Sequence, residues 1–485
     1  MGRDWASLEI DRKARAYAPA LPVVKQDPAE RLIHFDEIYG VFDADVARIE
    51  AARCIQCPDP APCQLGCPLG NDIPSALRLI EEGRFLEAAD VFRQTSPMPE
   101  ICSRVCPQER LCEGSCTHGG GVSNAPIQIG KLEKFVIEVQ YATGGIPLGT
   151  VAPDTGKRVA VVGGGPAGLA AAEYLRREGH AVTVYDANPH PGGLLIYGIP
   201  AFKLNKQRVI RKVEQLRALG IAFVQNTRVG KDVTLTELCE QYDAVFVGVG
   251  ANVDAPAKWE GVDLAGVYQA GEFLIRANVP TELQPEPLRA QGAPTVGRRV
   301  YVFGGGDTAM DCVRSALRLQ YAQGFPLDVM CAYRRTEAEM PGSKTERVNA
   351  REEGAQFRWL TAPVRFLGDE DGRLRAIELI EMTLGEPDAS GRRRPVPLEG
   401  SEHVVEADTA ILALGYWPDP LLGETTEGLA TRDWGLIEAD PDTGRTSLPN
   451  VWAAGDSVTG PDLVSTAIRG ALRAAQDIHR TLSEA

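Results

Sequence analysis

The sequence has no excess of basic residues and no long apolar segment. Its 485 residues include 51 Lys and Arg against 66 Asp and Glu, which gives a formal net charge of -15. Nucleic acid is not expected as the main partner, because phosphate binding needs a basic face. No apolar run approaches the roughly 20 residues that a membrane helix requires. The charged N-terminus also lacks the apolar core of a secretory signal, so a cytoplasmic protein without a membrane partner is expected.

Cysteine is scarce outside one short region. Eight of the 11 cysteines lie between Cys54 and Cys116. An odd cysteine count in a long chain does not suit the disulfide framework of a small secreted domain, and clustered thiols in a reducing compartment favour metal binding. The first four have the spacing C-x2-C-x5-C-x3-C, close to a ferredoxin pattern but with a longer second gap. Iron–sulfur is favoured; zinc is the alternative, although only Cys54 and Cys57 form a C-x2-C pair.

The spacing of apolar residues in the sequence changes at about residue 157. Before it, DADVARIEAARCI, IPSALRLIEEGRFLEAADVFRQ and IGKLEKFVIEVQYATG have apolar residues at helical spacing, separated by joints rich in Pro and Gly. After it, short apolar strands such as AVFVGVGA and TAILALG alternate with helical segments. The N-terminal 150 residues are therefore predicted to be helical and the remainder to be α/β.

A dinucleotide fingerprint opens the α/β part. RVAVVGGGPAGLAAAEYLRREGHAVTVYDA is typical of a strand, a Gly-rich turn, a helix and a second strand. Gly163-x-Gly165-x-x-Gly168 allows the tight turn and the close approach of a pyrophosphate to the helix N-terminus. Asp186 ends the second strand, where a carboxylate can accept hydrogen bonds from ribose hydroxyls. This unit predicts a nucleotide without a 2′-phosphate.

A second unit of the same kind reads RRVYVFGGGDTAMDCVRSALRL, then DVMCAYRR. Its turn is Gly304-x-Gly306-x-x-Ala309, and the following strand ends in Arg334 and Arg335 instead of an acid. Two guanidiniums there can bind a 2′-phosphate, so the unit is predicted to prefer NADP(H); two solvated arginines are the alternative. The unit has no C-x-x-C pair, which removes the dithiol that a thioredoxin reductase needs.

The two units together predict a bound FAD and a diffusing NADPH. The C-terminal stretch VWAAGDSVTG resembles the second FAD fingerprint, in which Asp456 after Gly455 reaches the ribitol or pyrophosphate. The helix that follows would direct its positive end toward the flavin. Because the FAD segments come first and last, the NADPH unit is predicted to be inserted into the FAD domain.

The motifs as a set resemble one family of electron-transfer proteins. PEICSRVCPQERLCEGSC, GGGPAGLAAAEYLR, GGLLIYGIPAFKLNK, GGGDTAMDCVR, YRR with MPGS shortly after, and AAGD are similar to the small (beta) subunit of NADPH-dependent glutamate synthase. They also resemble the N-terminal half of dihydropyrimidine dehydrogenase and the large subunit of ferredoxin:NADP transhydrogenase. The resemblance implies FAD, an NADPH site and two 4Fe–4S clusters.

The implied fold class is α/β, with an N-terminal helical iron–sulfur domain followed by two Rossmann-like domains. Residues 1–150 are predicted to bind the two clusters, 151–295 to form the first part of the FAD domain, 296–408 the NADPH domain, and 409–485 the second part of the FAD domain.

The resemblance also implies that the cluster ligands come crosswise from the two cysteine runs, as in two-cluster ferredoxins. One cluster would be held by Cys54, Cys57, Cys63 and Cys116, and the other by Cys67, Cys106, Cys112 and a fourth ligand. Glu133 is the candidate for that fourth ligand, and Cys102 is its rival.

Residues 192–206 run past the flavin in the relatives. Gly192 and Gly193 would allow close approach, and Lys203 either approaches the flavin or pyrophosphate or is a solvated lysine. The predicted FAD residues are Gly163, Gly165, Pro166, Ala167, Gly168, Asp186, Gly192, Gly193, Lys203, Gly455, Asp456 and Thr466. The predicted NADPH residues are Gly304, Gly306, Asp307, Thr308, Ala309, Arg334 and Arg335.

The expected activity is hydride transfer from NADPH to FAD, followed by passage of single electrons through the clusters to a partner. No protein group is expected to act as the leading acid or base, because the cofactors supply the chemistry. In a glutamate synthase, glutamine hydrolysis would belong to a large partner subunit. Two alternatives stay open: the same module serving another acceptor, such as ferredoxin, and a zinc-binding nucleotide-sensing protein.

Overall fold

The N-terminal part of the chain is helical in the structure, a computed structural model that describes residues 9–119, 125–388 and 391–484. Apolar residues at i, i+3 and i+4 form the buried faces of these short helices. The helices are α1 (Arg12–Tyr17), α2 (Pro28–Arg31), α3 (Ala44–Ala52), α4 (Pro62–Leu65), α5 (Ile73–Glu81), α6 (Phe85–Arg93), α7 (Pro99–Val105) and α8 (Ile129–Thr143).

Helix α8 is the element around which this helical domain packs. Gly83, in the left-handed region with φ +80°, separates α5 from α6, so the two helices turn back on each other. Phe92 of α6 is fully buried, and the ring of Phe85 meets that of Phe135 edge to face at 4.9 Å. The predicted cysteine runs therefore lie beside an apolar core, with Cys63 in α4, Cys102 in α7 and the other cysteines between helices.

A five-stranded parallel sheet follows, with the strand order β16-β4-β1-β2-β3, in which β16 is the C-terminal strand Val451–Ala453. Strand β1 is buried from Val159 to Val162, as expected for a parallel sheet covered on both faces. The elements of this part are β1 (Arg158–Val162), α9 (Pro166–Arg177), β2 (Ala181–Tyr185), α10 (Leu194–Tyr197), α11 (Lys206–Ala218), β3 (Ala222–Val224), α12 (Leu235–Gln241) and β4 (Ala244–Val247).

A second parallel sheet, with the order β6-β14-β7-β8-β9, contains the second fingerprint. Strands at residues 267–269 and 409–412 belong to it, so this sheet reaches beyond the predicted range 296–408 on both sides. Its elements and their connections are β5 (Val253–Asp254), β6 (Val267–Gln269), α13 (Ala270–Asn278), α14 (Glu286–Arg289), β7 (Val300–Phe303), α15 (Asp307–Ala322), β8 (Val329–Tyr333), α16 (Lys344–Glu352) and β9 (Gln356–Trp359).

An antiparallel sheet and the C-terminal return complete the chain. Strands β10 (Thr361–Gly368), β11 (Leu374–Pro387), β12 (Arg393–Pro397) and β13 (His403–Glu406) pair antiparallel around β11. The remaining elements are β14 (Thr409–Leu412), β15 (Tyr416–Trp417), α17 (Leu421–Thr425), β16 (Val451–Ala453), α18 (Asp456–Thr459) and α19 (Val464–Glu484). Strands β5 and β15 pair as a short ribbon where the chain crosses between the two parallel sheets.

The return of the chain explains the inserted arrangement. Strand β16 pairs with β4 in the first sheet, and the apolar face of α19, with Ile468 and Ile478 fully buried, packs beside α9. The predicted α/β class with one dinucleotide unit inserted into the other is confirmed. In the described ranges no helix, α19 included, has the length and apolar character to cross a membrane.

Candidate functional site

The first fingerprint turn is packed so tightly that two of its glycines cannot be replaced without a clash. A Cβ on Gly168 would lie 1.8 Å from the carbonyl oxygen of Gly163, and one on Gly163 would lie 2.5 Å from that of Gly248. Gly165, at the N-terminus of α9, would meet only Gly193 Cα, at 3.9 Å. The turn is thus closed on the sheet side and open on the other, which leaves the helix N-terminus accessible to a pyrophosphate.

Asp186 lies at the carboxyl end of β2, beside this turn. Its Oδ2 accepts a hydrogen bond from Gly164 N at 2.7 Å, and its Oδ1 accepts one from Asn188 N at 2.7 Å. Burial raises the pKa of the carboxyl, and the two backbone donors oppose that shift. The carboxylate therefore orients the Gly-rich turn itself, and its predicted contact with a ribose stays a prediction.

Gly192 and Gly193 bring a second segment onto the same turn. Both have positive φ, +144° and +52°. A Cβ on Gly193 would lie 2.8 Å from Gly165 Cα, and one on Gly192 would lie 2.5 Å from Ile196 Cγ1. At Gly193 the backbone is therefore closer to the turn than a side chain would permit, and at Gly192 it is similarly close to Ile196 of its own segment.

The C-terminal Gly455 and Asp456 also lie next to the first fingerprint. A Cβ on Gly455 would lie 3.1 Å from Ala167 Cβ, so the two motifs are adjacent. Burial raises the pKa of Asp456 to about 7. The hydroxyl of Thr466 donates to Leu463 O at 2.7 Å and accepts from Leu463 N at 3.1 Å, so it stabilises the start of α19.

The second fingerprint turn has the same asymmetry. A Cβ on Gly304 would lie 2.2 Å from Ala413 O, whereas one on Gly306 would meet none of the described atoms within 4 Å. Ala309, which replaces the third glycine, is fully buried against the sheet. Asp307 begins α15 and accepts a hydrogen bond from Ser343 N at 2.9 Å.

Arg334 and Arg335 have different surroundings at the end of β8. Arg335 is buried; its Nη2 donates to Asp388 Oδ2 at 2.8 Å and its Nε to Arg393 O at 2.7 Å. Arg334 is exposed. Burial of part of its side chain and the neighbouring charge of Arg335 lower its pKa. Of the two, Arg334 has the guanidinium that faces solvent.

Lys203 lies at the boundary between the two dinucleotide units and is not a solvated lysine. Its Nζ donates to Asp311 Oδ1 of α15 at 3.0 Å and lies 3.8 Å from Glu346 Oε2. Burial raises the pKa of Asp311 to about 6 even with the ammonium beside it. Lys203 thus connects residues 192–206 to the helix that follows the second turn.

Sequence reasoning missed the buried ion pairs around this connection. Arg314 donates to Glu346 Oε2 at 2.6 Å and to both oxygens of Glu353. Phe202 is fully buried, and the centroid of its ring lies 4.3 Å from the guanidinium carbon of Arg314 and 4.1 Å from that of Arg318. Two arginines at i, i+4 within the helical segment DTAMDCVRSALRL were the available signal.

One cavity of about 950 Å³ connects these features. Its walls include both Gly-rich turns, Asp186, Lys203 and Asp456, together with Cys106 from the helical domain. The predicted nucleotide residues that border it are Gly163, Gly165, Pro166, Ala167, Asp186, Gly193, Lys203, Gly306, Asp307, Thr308 and Asp456. The structure therefore brings both dinucleotide turns and one cysteine run to a common space.

Four cysteines of the helical domain surround a separate small pocket: Cys54, Cys57, Cys63 and Cys116. Burial, with smaller contributions from the charges of Cys57 and Cys116, raises the pKa of Cys54 to about 12. Burial also raises the pKa of Cys63, with a smaller contribution from the same neighbours. In the described ranges no three potential ligands converge on a single metal ion. Four thiols around one space, two of them buried (Cys54 and Cys63) and two partly buried, nevertheless have the donor chemistry of a 4Fe–4S cluster.

The remaining predicted ligands form a second group. Burial raises the pKa of Cys112, and so do Cys67, Glu133 and Cys106 nearby. Burial also raises the pKa of Glu133 well above its usual value. Its Oε1 is buried and has no hydrogen-bond partner among the described residues. Cys102 also lies beside Cys106, but its thiol has the hydroxyl of Ser96 at 3.9 Å as a partner.

Two family descriptions match the chain. Residues 31–144 match the dihydropyrimidine dehydrogenase domain II, 4Fe-4S cluster family, and residues 157–471 match the pyridine nucleotide-disulphide oxidoreductase family. The first match includes both groups of cysteines, and the second includes both Gly-rich turns.

Curated relatives match along most of the chain. It is 43% identical to the glutamate synthase (NADPH) small chain of Escherichia coli, covering 92% of this chain and 94% of that protein. It is 42% identical to the corresponding small chain of Azospirillum brasilense, covering 94% and 93%. It is 46% identical to the putative oxidoreductase AegA of Escherichia coli, covering 92% of this chain and 67% of AegA.

A solved structure has the same dinucleotide fold. FprA of Mycobacterium tuberculosis in complex with NADPH is 22% identical, with a TM-score of 0.56, and the match covers 69% of this chain and 85% of FprA. At this identity the likeness concerns the fold alone.

Proposed function

We propose a function from the premise that this chain belongs to the family of the glutamate synthase small chains, within the pyridine nucleotide-disulphide oxidoreductases. The chain is an NADPH-dependent oxidoreductase with a 4Fe–4S domain and an FAD- and NADPH-binding part. When bound, FAD would supply a hydride acceptor for NADPH that can release electrons singly, and iron–sulfur clusters would supply one-electron carriers. The residues of the chain bind, orient and shield these groups.

The open side of the first turn is proposed to bind FAD. The accessible backbone at Gly165 and the N-terminus of α9 suit the pyrophosphate, and Asp186 suits the adenosine ribose. Gly193 and Asp456 border the same cavity, where they would contact the rest of the cofactor.

The second turn is proposed to bind NADPH. Gly306 leaves room for a pyrophosphate at the N-terminus of α15, and Arg334 is placed to bind the 2′-phosphate. Lys203 and Asp311 would fix the position of one nucleotide-binding unit relative to the other, because their ion pair connects the two units. Correct orientation of nicotinamide and flavin is the main contribution of a protein to hydride transfer.

Two 4Fe–4S clusters are proposed, with the crosswise ligand sets predicted from the sequence. Cys54, Cys57, Cys63 and Cys116 would hold one. Cys67, Cys106, Cys112 and Glu133 would hold the other, because the free oxygen of Glu133 suits a ligand better than the hydrogen-bonded thiol of Cys102. Since Cys106 borders the large cavity, the second cluster would be the one nearer the flavin.

The acceptor is proposed to be the large subunit of a glutamate synthase. The single observation that supports a path of electrons from the dinucleotide sites to the helical domain is the shared cavity, which both turns and Cys106 border. Copurification from the host, followed by NADPH oxidation with glutamine and 2-oxoglutarate, tests the proposal. A partner-dependent rate that needs both substrates supports it, and a colourless protein without acid-labile sulfide contradicts it.

A second acceptor class is supported by the relatives themselves. AegA is described as a putative oxidoreductase, and the chain is also 37% identical to the NADPH-Fe(3+) oxidoreductase subunit beta of Geobacter sulfurreducens, over 87% of its length. The same module would then reduce ferredoxin or another redox protein. Activity with such an acceptor, and none with glutamine plus 2-oxoglutarate, would favour this alternative.

A further inference from the structure

The loop between two proposed cluster ligands, Cys106 and Cys112, contacts the NADPH-binding unit directly. Arg110 Nη1 donates a hydrogen bond to Pro341 O at 2.9 Å. The hydroxyl of Ser343 donates to Glu109 Oε1 at 2.5 Å. Two consecutive residues of the cluster loop therefore bind to residues 341–343.

Residues 341–343 in turn pack on the second fingerprint. Gly342 N donates to Gly305 O at 3.2 Å, and a Cβ on Gly342 would lie 3.0 Å from the carbonyl carbon of Gly306. Ser343 N donates to Asp307 Oδ1 at 2.9 Å. Backbone approach this close transmits a displacement of residues 341–343 to the turn, because little free space separates them.

We propose that Glu109 and Arg110 are positioning residues for NADPH: the cluster loop holds the dinucleotide turn in its binding conformation through Ser343 and residues 341–342. The proposal rests on the proposed NADPH site. Neither residue needs to touch the nucleotide. Both border the cavity into which the turn opens, as Cys106 does.

Thermodynamic linkage gives the proposal a second consequence. If the cluster loop favours the binding conformation of the turn, a nucleotide bound at the turn must stabilise the loop by the same free energy. NADP⁺ should therefore slow backbone hydrogen exchange in residues 106–116, although these residues belong to another domain. A contact that is only structural would protect this loop equally with and without the nucleotide.

The test compares Glu109→Ala combined with Arg110→Ala, Glu109→Gln, and the control Glu82→Ala. Glu82 is a glutamate of the same helical domain whose carboxylate pairs with Arg78 and Arg84, remote from the turn. The double variant is expected to raise the KM for NADPH and the Kd for NADP⁺ about tenfold, with kcat changed less than about twofold. Glu109→Gln keeps an acceptor for Ser343 and should stay near the wild-type values, as should Glu82→Ala.

Failure of the positioning role and failure of the proposed function would give different results. A wild-type flavin that NADPH does not reduce, or a wild-type protein that does not bind NADP⁺, contradicts the proposed function itself. With wild-type binding present, an unchanged KM in the double variant, or hydrogen exchange in 106–116 that NADP⁺ leaves unaffected, overturns the positioning role. If the double variant loses its flavin, the exchange experiment on the wild-type protein decides alone.

Discussion

Arg334→Ala is expected to impair the use of NADPH while leaving the use of NADH almost unchanged. Arg334 is exposed at the end of β8, whereas the charge of Arg335 is neutralised by Asp388 at 2.8 Å. A charge-assisted hydrogen bond contributes about 1.5–3 kcal/mol. Solvent screening at an exposed site favours the lower end, and about 1.4 kcal/mol corresponds to a tenfold change in affinity. We therefore expect kcat/KM for NADPH to fall about tenfold.

Steady-state reduction of a one-electron dye acceptor measures kcat/KM for both nucleotides. Arg299→Ala is the matched control, because Arg299 is an exposed arginine at the opposite end of the same sheet, paired with Glu406. Arg335→Ala should lower kcat/KM for NADPH less than Arg334→Ala does. Equal losses for NADPH and NADH in Arg334→Ala, or a larger loss in Arg335→Ala, would refute the assignment of the 2′-phosphate to Arg334.

Three further predictions follow from packing and charge. Gly168→Ala should abolish FAD binding, measured as the ratio of flavin to protein absorbance, because its Cβ would lie 1.8 Å from Gly163 O. Gly306→Ala, whose Cβ would meet no described atom within 4 Å, should keep FAD but weaken the binding of NADP⁺. Equal flavin contents in the two variants would contradict this. Phe202→Ala should lower the free energy of unfolding in urea by about 3–5 kcal/mol, because the ring is fully buried; a change under about 1 kcal/mol would contradict this. Burial would raise the pKa of Glu346, but the adjacent lysine and arginine hold that pKa at about 2. The contribution of this carboxylate to the free energy of unfolding is therefore present above pH 4.5 and is lost as the pH falls toward 2. Glu346→Gln should flatten acid unfolding in that range, and an unchanged profile would contradict the ion pairs.

The Gly-rich turns could be predicted from the sequence because their chemistry is local. The clash that excludes a side chain at Gly168 comes from Gly163, five residues earlier, and the acid at Asp186 follows on the next strand. Such features require only a strand, a turn and a helix in succession. The break between α5 and α6 is local in the same sense, since Gly83 alone supplies the positive φ.

Contacts between distant segments could not be predicted in this way. Arg335 pairs with Asp388 across 53 residues, and Lys203 pairs with Asp311 across 108. Strand β14 joins the second sheet by pairing with β7, and β6 joins it by pairing with β14; neither sequence differs in kind from that of other apolar strands. Register and partner depend on tertiary packing, which a single sequence does not record.

The crosswise grouping of cysteines has a simple geometric cause, which spacing alone hides. The two cysteine runs cross at Gly66, where a Cβ would lie 2.2 Å from Ser115 Oγ and 2.9 Å from Leu111 O. Only glycine permits this approach. Cys54, Cys57 and Cys63 precede the crossing in the first run, and they therefore lie beside Cys116, which follows the crossing in the second run. Cys67, which follows the crossing in the first run, lies beside the earlier cysteines of the second, as the mutual effects on their pKa values indicate. A substitution at Gly66 would disturb both groups of cysteines at once, because the contact of Gly66 with the second run determines the position of each run relative to the other.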